Sequence, residues 1–509
     1  MATPEAVIEI GSIGIRLLVA EVKDNDEWEV IDFSELPVAL GRDVFTTGSI
    51  SRANLLLILQ ILQRFKEQLA SWAITPEQTH VIATSALREA KNPDPILDRI
   101  LTKTGFKVKV IDGIEENRLM YLAVTNKIKA LSRKTTDEDA IILEVGGGST
   151  EMMLIKKGKM AGAHSLKIGT IRIEQNLNLS VATTDDIRRY IQQFILNTKG
   201  SLNEDLDLTT VKQFYSVGGE PRLAALTYGK KLSDGIWEID REEFEKFVKE
   251  VQTYSTEEIV AKFNIEFNEA SQLYIGLSIY EMFIQLTNVN KIIVLETNIR
   301  DGAIISKISN PSSELQTEFY SQITASAINL LRKYHGDMEH ALYVRDISLM
   351  IFDTLKDELA LDDRARMLLE VASILHDIGM FIRLGDHQKH SEYIIQNSEI
   401  FGLRKNENTI VSQISRYHRG SILPQDDEHF AMLPRGDRMI ILKLTSILRI
   451  ADALDRAHSQ KLKNLFISKQ NDTLFITSRT KHNIVLEKQA LAEKSNMFEY
   501  VFGYRIILS

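Results

Sequence analysis

The stretch Glu144 to Glu151, EVGGGSTE, sets three consecutive glycines and two hydroxyl residues between two carboxylates. The apolar run AIILEV precedes the glycines and EMMLIKKG follows them, so the segment reads as two strands joined by a glycine turn. Glycine leaves backbone N–H groups uncovered, able to approach phosphate oxygens closely, and Ser149 and Thr150 add hydroxyl donors. Glu144 and Glu151 suit magnesium, which takes oxygen ligands and keeps several of its waters. A tight hairpin that needs glycine only for its positive φ is the competing reading of any one such turn.

Two further glycine turns stand at predicted strand ends. AVIEIGSIGIRLLVAEV (Ala6 to Val22) reads as two apolar strands around Gly11-Ser12, with KDNDE (Lys23 to Glu27) as the next hairpin turn. In FYSVGGEPRLAAL, Gly218-Gly219 follows a strand ending in Val217. Glycine turns at three strand ends can converge on one ligand. Between them strands and helices alternate: Ser51 caps the helix NLLLILQILQRFKEQLASW, and HVIATSALREAKN and KVKVIDGIEENRLMYLAVTNKI each pass from strand to helix. After the polar run SRKTTDEDA the pattern restarts, with an echo of the opening hairpin from Ile168, so two similar α/β halves are expected. KIIVLETNIRDGAII continues the second half and SNPSSE (Ser309 to Glu314) closes it.

The motifs EIGSIGIRL, ATSALREAKN, DGIEENRL, EVGGGSTE, SLKIGTIRI, SVGGEPRLA and NIRDGAI, in that order, resemble the exopolyphosphatase and guanosine pentaphosphate phosphohydrolase (Ppx/GppA) family. The resemblance spans about residues 6 to 305 and implies two actin-like, ribonuclease H-like domains of the acetate kinase, sugar kinase, Hsp70 and actin superfamily. It implies release of terminal orthophosphate from inorganic polyphosphate or guanosine pentaphosphate by metal-assisted attack of water in the cleft between them. Carried over residue by residue, Glu116 activates the water, with Glu115 the less favoured neighbour. Gly11, Ser12, Arg88, Gly146, Gly147, Gly148, Ser149, Gly218 and Gly219 bind phosphate. Glu9, Glu144 and Glu151 hold Mg2+ or Mn2+. The chain departs from the family at Glu9 and Glu144, where aspartate is usual, and at Ile13-Gly14, where Asn-Ser is usual. Both changes fall in the expected site, and the second removes two side-chain donors.

Beyond Glu314 the pattern becomes one of amphipathic helices, with no strand until about Phe466. In LLEVASILHDIGMFI the pair His376-Asp377 follows an apolar helix, and His340 upstream with Asp452 downstream completes the order His, His-Asp, Asp, which resembles HD-domain phosphohydrolases. These four are a candidate second metal site, since imidazole with carboxylate suits transition ions. His387, His390 and His418 are candidate additional ligands or phosphate binders. HQKHSEYII, YHRG and LRIADALDR resemble the longer exopolyphosphatases. Arg383, His387, Lys389, His390, Arg416, His418 and Arg419 form a candidate positive surface, with an ordinary solvated helix-loop face as the alternative.

Composition bounds these readings. With 509 residues the chain exceeds the roughly 250–300 at which one core stops growing, so several domains are expected. The expected organisation is α/β: actin-like domains at 1–132 and 133–310, an all-α HD-like domain at 311–457 and a small C-terminal α/β domain at 458–509. The absence of cysteine excludes thiolate chemistry and sulfur-ligated zinc. A net charge of -9 gives no general attraction to polyanions, so no nucleic-acid partner is expected. The opening MATPEAVIEIGSIG lacks a basic segment followed by an apolar core, and LLLILQIL is too short to cross a bilayer, so a cytoplasmic protein without membrane contact is expected. Family analogy implies a homodimer. Two rival readings place the chemistry in the helical region, or make the cleft a phosphate or alarmone sensor.

Overall fold

The computed structural model describes residues 3–23, 27–129, 138–177, 183–201, 207–308, 314–419, 427–479 and 482–509. The chain divides into two compact units, residues 1–319 and 320–509. Most of the expected turn at Lys23–Glu27, of the polar run Ser132–Ala140 and of the closing segment Ser309–Glu314 lies outside the described residues.

Unit 1 rests on two sheets. In the first, β1 (Thr3–Ile10) pairs antiparallel with β2 (Gly14–Val22), which pairs with β3 (Trp28–Pro37). On its other side β1 runs parallel to β4 (His80–Ala83), and β4 to β5 (Val108–Val110), giving the order β3-β2-β1-β4-β5. In the second, β6 (Ala140–Val145) pairs antiparallel with β7 (Thr150–Lys156), and β7 with β8 (Lys159–Leu166). β9 (Gln213–Val217) lies parallel to β6, and the sheet continues outward through β12 (Lys291–Leu295), β11 (Ile236–Asp240) and β10 (Lys230–Ser233). The order β8-β7-β6-β9-β12 thus repeats the connectivity of β3-β2-β1-β4-β5, and unit 1 is two actin-like α/β lobes.

The repeat extends to the turns. Ile10 faces Ile15, and the Gly11 N–H donates to the Gly14 carbonyl at 2.9 Å. Val145 faces Thr150, and the Gly146 N–H donates to the Ser149 carbonyl at 2.8 Å. The turns GSIG and GGGS are therefore equivalent, as are Glu9 and Glu144, each the last residue but one of its strand. The echo expected from Ile168 is not a second copy of this hairpin. Gly169 leads into the helix Thr170–Leu177, whose Thr170 and Ile171 N–H groups donate to the carbonyls of Gly146 and Gly147, so the segment buttresses the second turn.

The central strands carry unbroken apolar runs because both their faces are covered: Val7, Ile8, Ile141 and Ile142 are all buried. The helix Arg52–Ser71 starts where expected, with Ser51 Oγ accepting from the Asn54 N–H at 3.2 Å. It buries Ile58, Ile61, Leu62, Phe65 and Leu69 along one stripe, the 3.6-residue period that its sequence announces. Two helices cross: Gly113–Lys129 packs on β7 and β8, Ile299–Ile308 packs on β1, and the two pack on each other.

In unit 2, helices Met338–Thr354, Asp363–Leu375, Lys405–Tyr417 and Arg435–Ala453 pack together. The first strand after them begins at Phe466, as the sequence predicts: β13 (Phe466–Gln470) and β14 (Thr473–Thr477) form a hairpin, and β15 (Arg505–Leu508) runs parallel to β14. The helix Val485–Phe502 precedes β15 and packs on Arg435–Ala453. Among the described residues no helix is long and apolar enough to cross a membrane.

The crossing of the two helices in unit 1 depends on Gly302, where a Cβ would stand 1.9 Å from the Leu119 carbonyl oxygen. Gly302→Ala is expected to destabilise unit 1 by about 1–3 kcal/mol or more. At Gly219 an added Cβ meets nothing within 4 Å, so Gly219→Ala serves as the control. Urea midpoints check this: equal shifts for the two variants would contradict the packing.

Candidate functional site

The two equivalent turns meet. A Cβ on Gly147 would lie 3.2 Å from the Cβ of Ser12, whose Oγ is 3.0 Å from Ser85 Oγ. At Gly148 an added Cβ would stand 2.5 Å from both Phe45 Cζ and Ser85 Oγ, so a larger residue would have to displace both side chains. Arg172 steadies this turn: its Nε donates to the Gly148 carbonyl at 2.8 Å and its guanidinium lies over the Phe45 ring. The N–H groups of Ser12, Ile13, Gly147, Gly148 and Ser149 donate in none of the described hydrogen bonds, an arrangement that could accommodate an anion. Gly218, at φ 142°, caps the helix Gly219–Tyr228. The buried Tyr280 hydroxyl donates to the Val217 carbonyl and accepts from the Val145 N–H at 3.0 Å, tying the third turn to the second. All three glycine turns therefore belong to one locus.

Four glutamates gather there. Across its hairpin Glu9 faces Arg16, and Glu144, at the equivalent position, faces Glu151. Both oxygens of Glu9 are engaged by guanidinium groups, Oε2 by Arg300 and Oε1 by Arg16 at 3.4 Å. Burial opposes ionisation of Glu9, but these two cations hold its carboxyl below the usual range. Glu116 sits in the first turn of Gly113–Lys129, which Asp112 caps by accepting from the Glu115 N–H at 2.9 Å. Arg88 Nη1 donates to Glu116 Oε2 at 2.7 Å and also to the Ile111 carbonyl. Burial still raises the Glu116 carboxyl, against the pull of Arg88.

Glu151 Oε2 accepts from Asn117 Nδ2 at 2.9 Å and its Oε1 from Ser165 Oγ at 2.7 Å. Burial, with Glu116 nearby, raises its carboxyl well above the usual range. Glu144 takes no hydrogen bond among the described residues, and burial together with Glu9 and Glu116 pushes it up to about 8. Glu115 is different: Arg118 holds both its oxygens, at 2.7 and 3.0 Å. Of the two adjacent acids, Glu116 is the one that joins the cluster.

Glu9, Glu144 and Glu151 were all expected to hold a metal. The all-oxygen set of Glu144 and Glu151, crowded by like charge, suits a hard divalent cation. Glu9 has its own counter-charges instead. Sequence reasoning gave no role to Arg16, Arg300, Asn117 or Ser165, although all four lie within the quoted motifs. Nothing in the sequence marked Tyr280.

In unit 2 His340, His376, Asp377 and Asp452 come together as the sequence order suggests. His340 Nε2 lies 3.3 Å from His376 Nε2, 3.6 Å from Asp452 Oδ1 and 3.8 Å from Asp377 Oδ2. Burial works against the charged form of His340, but hydrogen bonds to Asp452 and Asp455 raise it to about 9, whereas burial lowers His376 to about 4. The expected positive surface divides. Arg383 and Lys389 are exposed, His387 and His418 are buried against Asp377, and Arg416 is engaged by Glu392 and Asp427.

Residues 18–310 match the profile of the Ppx/GppA phosphatase family, and residues 324–497 that of Ppx/GppA phosphatase domain III. A guanosine-5'-triphosphate,3'-diphosphate pyrophosphatase of Aliivibrio fischeri is 23% identical over 479 residues, covering 94% of this chain and 92% of that protein. The enzyme of the same name from Photobacterium profundum is 22% identical over 390 residues, covering 76% of this chain and 75% of its own. The crystal structure of an exopolyphosphatase from Cytophaga hutchinsonii shares the fold, with a TM-score of 0.53 at 20% identity, over 60% of this chain and 99% of that chain.

The raised Glu144 carboxyl has a thermodynamic signature. Folding takes up a proton between the ordinary value of 4.5 and about 8, so stability is greatest below that window and falls as pH rises through it. In chelator, the melting temperature of the wild type is expected to drop more between about pH 5 and pH 8 than that of Glu144→Gln, with a divalent cation reducing the difference. Parallel pH curves in calorimetry would contradict it.

Proposed function

Because the chain belongs to the Ppx/GppA phosphatase family, we propose that it releases terminal phosphate from inorganic polyphosphate or guanosine pentaphosphate at the meeting point of its two glycine turns. The observation that carries this reading is the pairing of Glu116 with Arg88 beside Glu144 and Glu151. It sets a base, a phosphate-binding cation and a metal-binding pair next to unpaired backbone amides.

The terminal phosphate binds the amides of Gly147, Gly148 and Ser149 and those of the Ser12 turn, which donate where charge builds during transfer. Glu144 and Glu151 would hold Mg2+ or Mn2+, which would supply charge neutralisation for the phosphate when bound. Glu116 accepts a proton from the attacking water as its oxygen bonds to the terminal phosphorus, and the bridging P–O bond breaks toward the departing chain. Arg88 favours the ionised form of Glu116 and carries part of the phosphate charge. Glu9 holds Arg300 and Arg16 in place, a positioning role that replaces the metal ligation expected for it.

Glu116→Gln is expected to lower kcat by about 10²–10⁴-fold on both substrates, with a much smaller effect on KM. Phosphate release in Mg2+ and in Mn2+ measures this, and an active Glu116→Gln enzyme, or a wild type that releases none, would overturn the reading. A second outcome concerns pH. Activity falls as Glu116 is protonated, so the acid limb lies above the ordinary carboxylate range. Arg88→Ala removes the group that favours the ionised form, and so moves that limb to higher pH; a shift to lower pH would contradict the pairing.

A further inference from the structure

Three consecutive carbonyls of the triple-glycine turn are held from one side. The Gly146 carbonyl accepts from the Thr170 N–H at 3.0 Å, and the Gly147 carbonyl accepts from the N–H groups of Ile171 and Arg172 at 2.9 and 3.1 Å. The Gly148 carbonyl accepts from Arg172 Nε at 2.8 Å. In a planar trans peptide the N–H of the next residue points opposite to the carbonyl. Holding these three carbonyls therefore turns the N–H groups of Gly147, Gly148 and Ser149 to the other side, as a row of donors. Gly169 permits the close approach, since a Cβ there would stand 2.6 Å from both the Gly146 and the Gly147 oxygens.

The first two peptides are held by backbone groups of the helix Thr170–Leu177. The third depends on one side chain. Glycine at 148 lets the peptide that follows it take either orientation at little steric cost, so the direction of the Ser149 N–H rests on what the Gly148 carbonyl meets. It meets Arg172, which is itself held. Arg172 Nη2 donates to both oxygens of Glu89, at 2.7 and 2.8 Å, and the guanidinium lies 4.2 Å from the centre of the Phe45 ring.

Glu89 ends the short helix Ser85–Glu89, directly after Arg88, the partner of Glu116. Ser85, at the other end of that helix, has its Oγ 3.0 Å from Ser12 Oγ. One guanidinium thus ties the triple-glycine turn to the segment that carries Arg88. The neighbouring links are of another kind. Arg42 Nη2 pairs with Glu174 Oε1 at 2.9 Å and Thr46 Oγ1 donates to Gln175 Oε1 at 2.7 Å, joining the helix Leu40–Thr47 to Thr170–Leu177 through side chains alone.

We propose, on the phosphatase reading of this locus, that Arg172 is a positioning residue for the terminal phosphate: it fixes the Gly148–Ser149 peptide so that the Ser149 N–H donates to the phosphate, and Glu89 holds Arg172 in that pose. The role needs the guanidinium fork, whose Nε and Nη2 serve the carbonyl and the carboxylate at once. A lysine ammonium carries the same charge on a single nitrogen. Glu89 separates this role from simple attraction between Arg172 and the anion. Removing an acid near a bound anion strengthens attraction, whereas removing the anchor of Arg172 weakens binding.

Titration calorimetry on the full-length chain tests the role, with inorganic tripolyphosphate and Mg2+ as the probe and Glu116→Gln as the background, so that the bound probe is not turned over. Arg172→Lys is expected to weaken binding about 10–100-fold, the loss of one hydrogen bond to a charged group, and Glu89→Ala to weaken it in the same direction. Arg42→Ala, which breaks only the neighbouring ion pair, is expected to bind as the background does. Circular dichroism identifies a misfolded variant, and Glu89→Ala, which removes a partly exposed side chain, decides alone should Arg172→Lys misfold. Unchanged binding in Arg172→Lys, or unchanged or tighter binding in Glu89→Ala, would overturn the positioning role. A background protein that binds no tripolyphosphate would overturn the phosphatase reading and the role with it.

Discussion

Burial of Glu9, Glu116, Glu144 and Glu151 within electrostatic reach of one another is the constraint that organises unit 1. Removing a carboxylate from water is unfavourable unless it is paired, and four together also repel. The fold answers unevenly. Glu9 is matched by two arginines, Glu116 by one, Glu151 by an amide and a hydroxyl, and Glu144 by nothing among the described residues. The unmet demand is concentrated at Glu144 and Glu151, where a cation would restore the balance. A locus arranged only for stability would replace such a group with apolar residues.

The structural repeat explains how this asymmetry arose from similar parts. Both lobes present a strand, a four-residue turn and a returning strand, with a glutamate in the same place. The residue across the ladder differs, arginine at position 16 and glutamate at 151. One turn therefore stands beside a cation and the other beside a second anion. Ile13 and Gly14 offer no side-chain donors in the first turn, so its donors are the backbone N–H groups and the Ser12 hydroxyl.

Much of this was legible in the sequence because its signals are local. Apolar runs broken by glycine located β1, β2, β6, β7 and β9, and Ser51 announced its helix. The repeat was legible too, but its register was misplaced at Ile168, where Ile-Gly-Thr mimics Ile-Gly-Ser; strand order, a long-range property, decides the matter. Long-range pairs were not legible. Glu9 and Arg300 are 291 residues apart, and His340 and Asp455 are 115 apart. Charge pairing between such positions leaves no mark on composition or period. Glu115 and Glu116 are likewise indistinguishable in sequence, and only the positions of Arg118 and Arg88 separate them.

The contact between Gly302 and the Leu119 carbonyl has a mechanical consequence. Backbone meets backbone there, so at that point the two helices are locked closely against each other. One helix begins three residues before Glu116, and the other carries Arg300 in its first turn. Glu116 and Arg300 are therefore carried on one joined pair of helices.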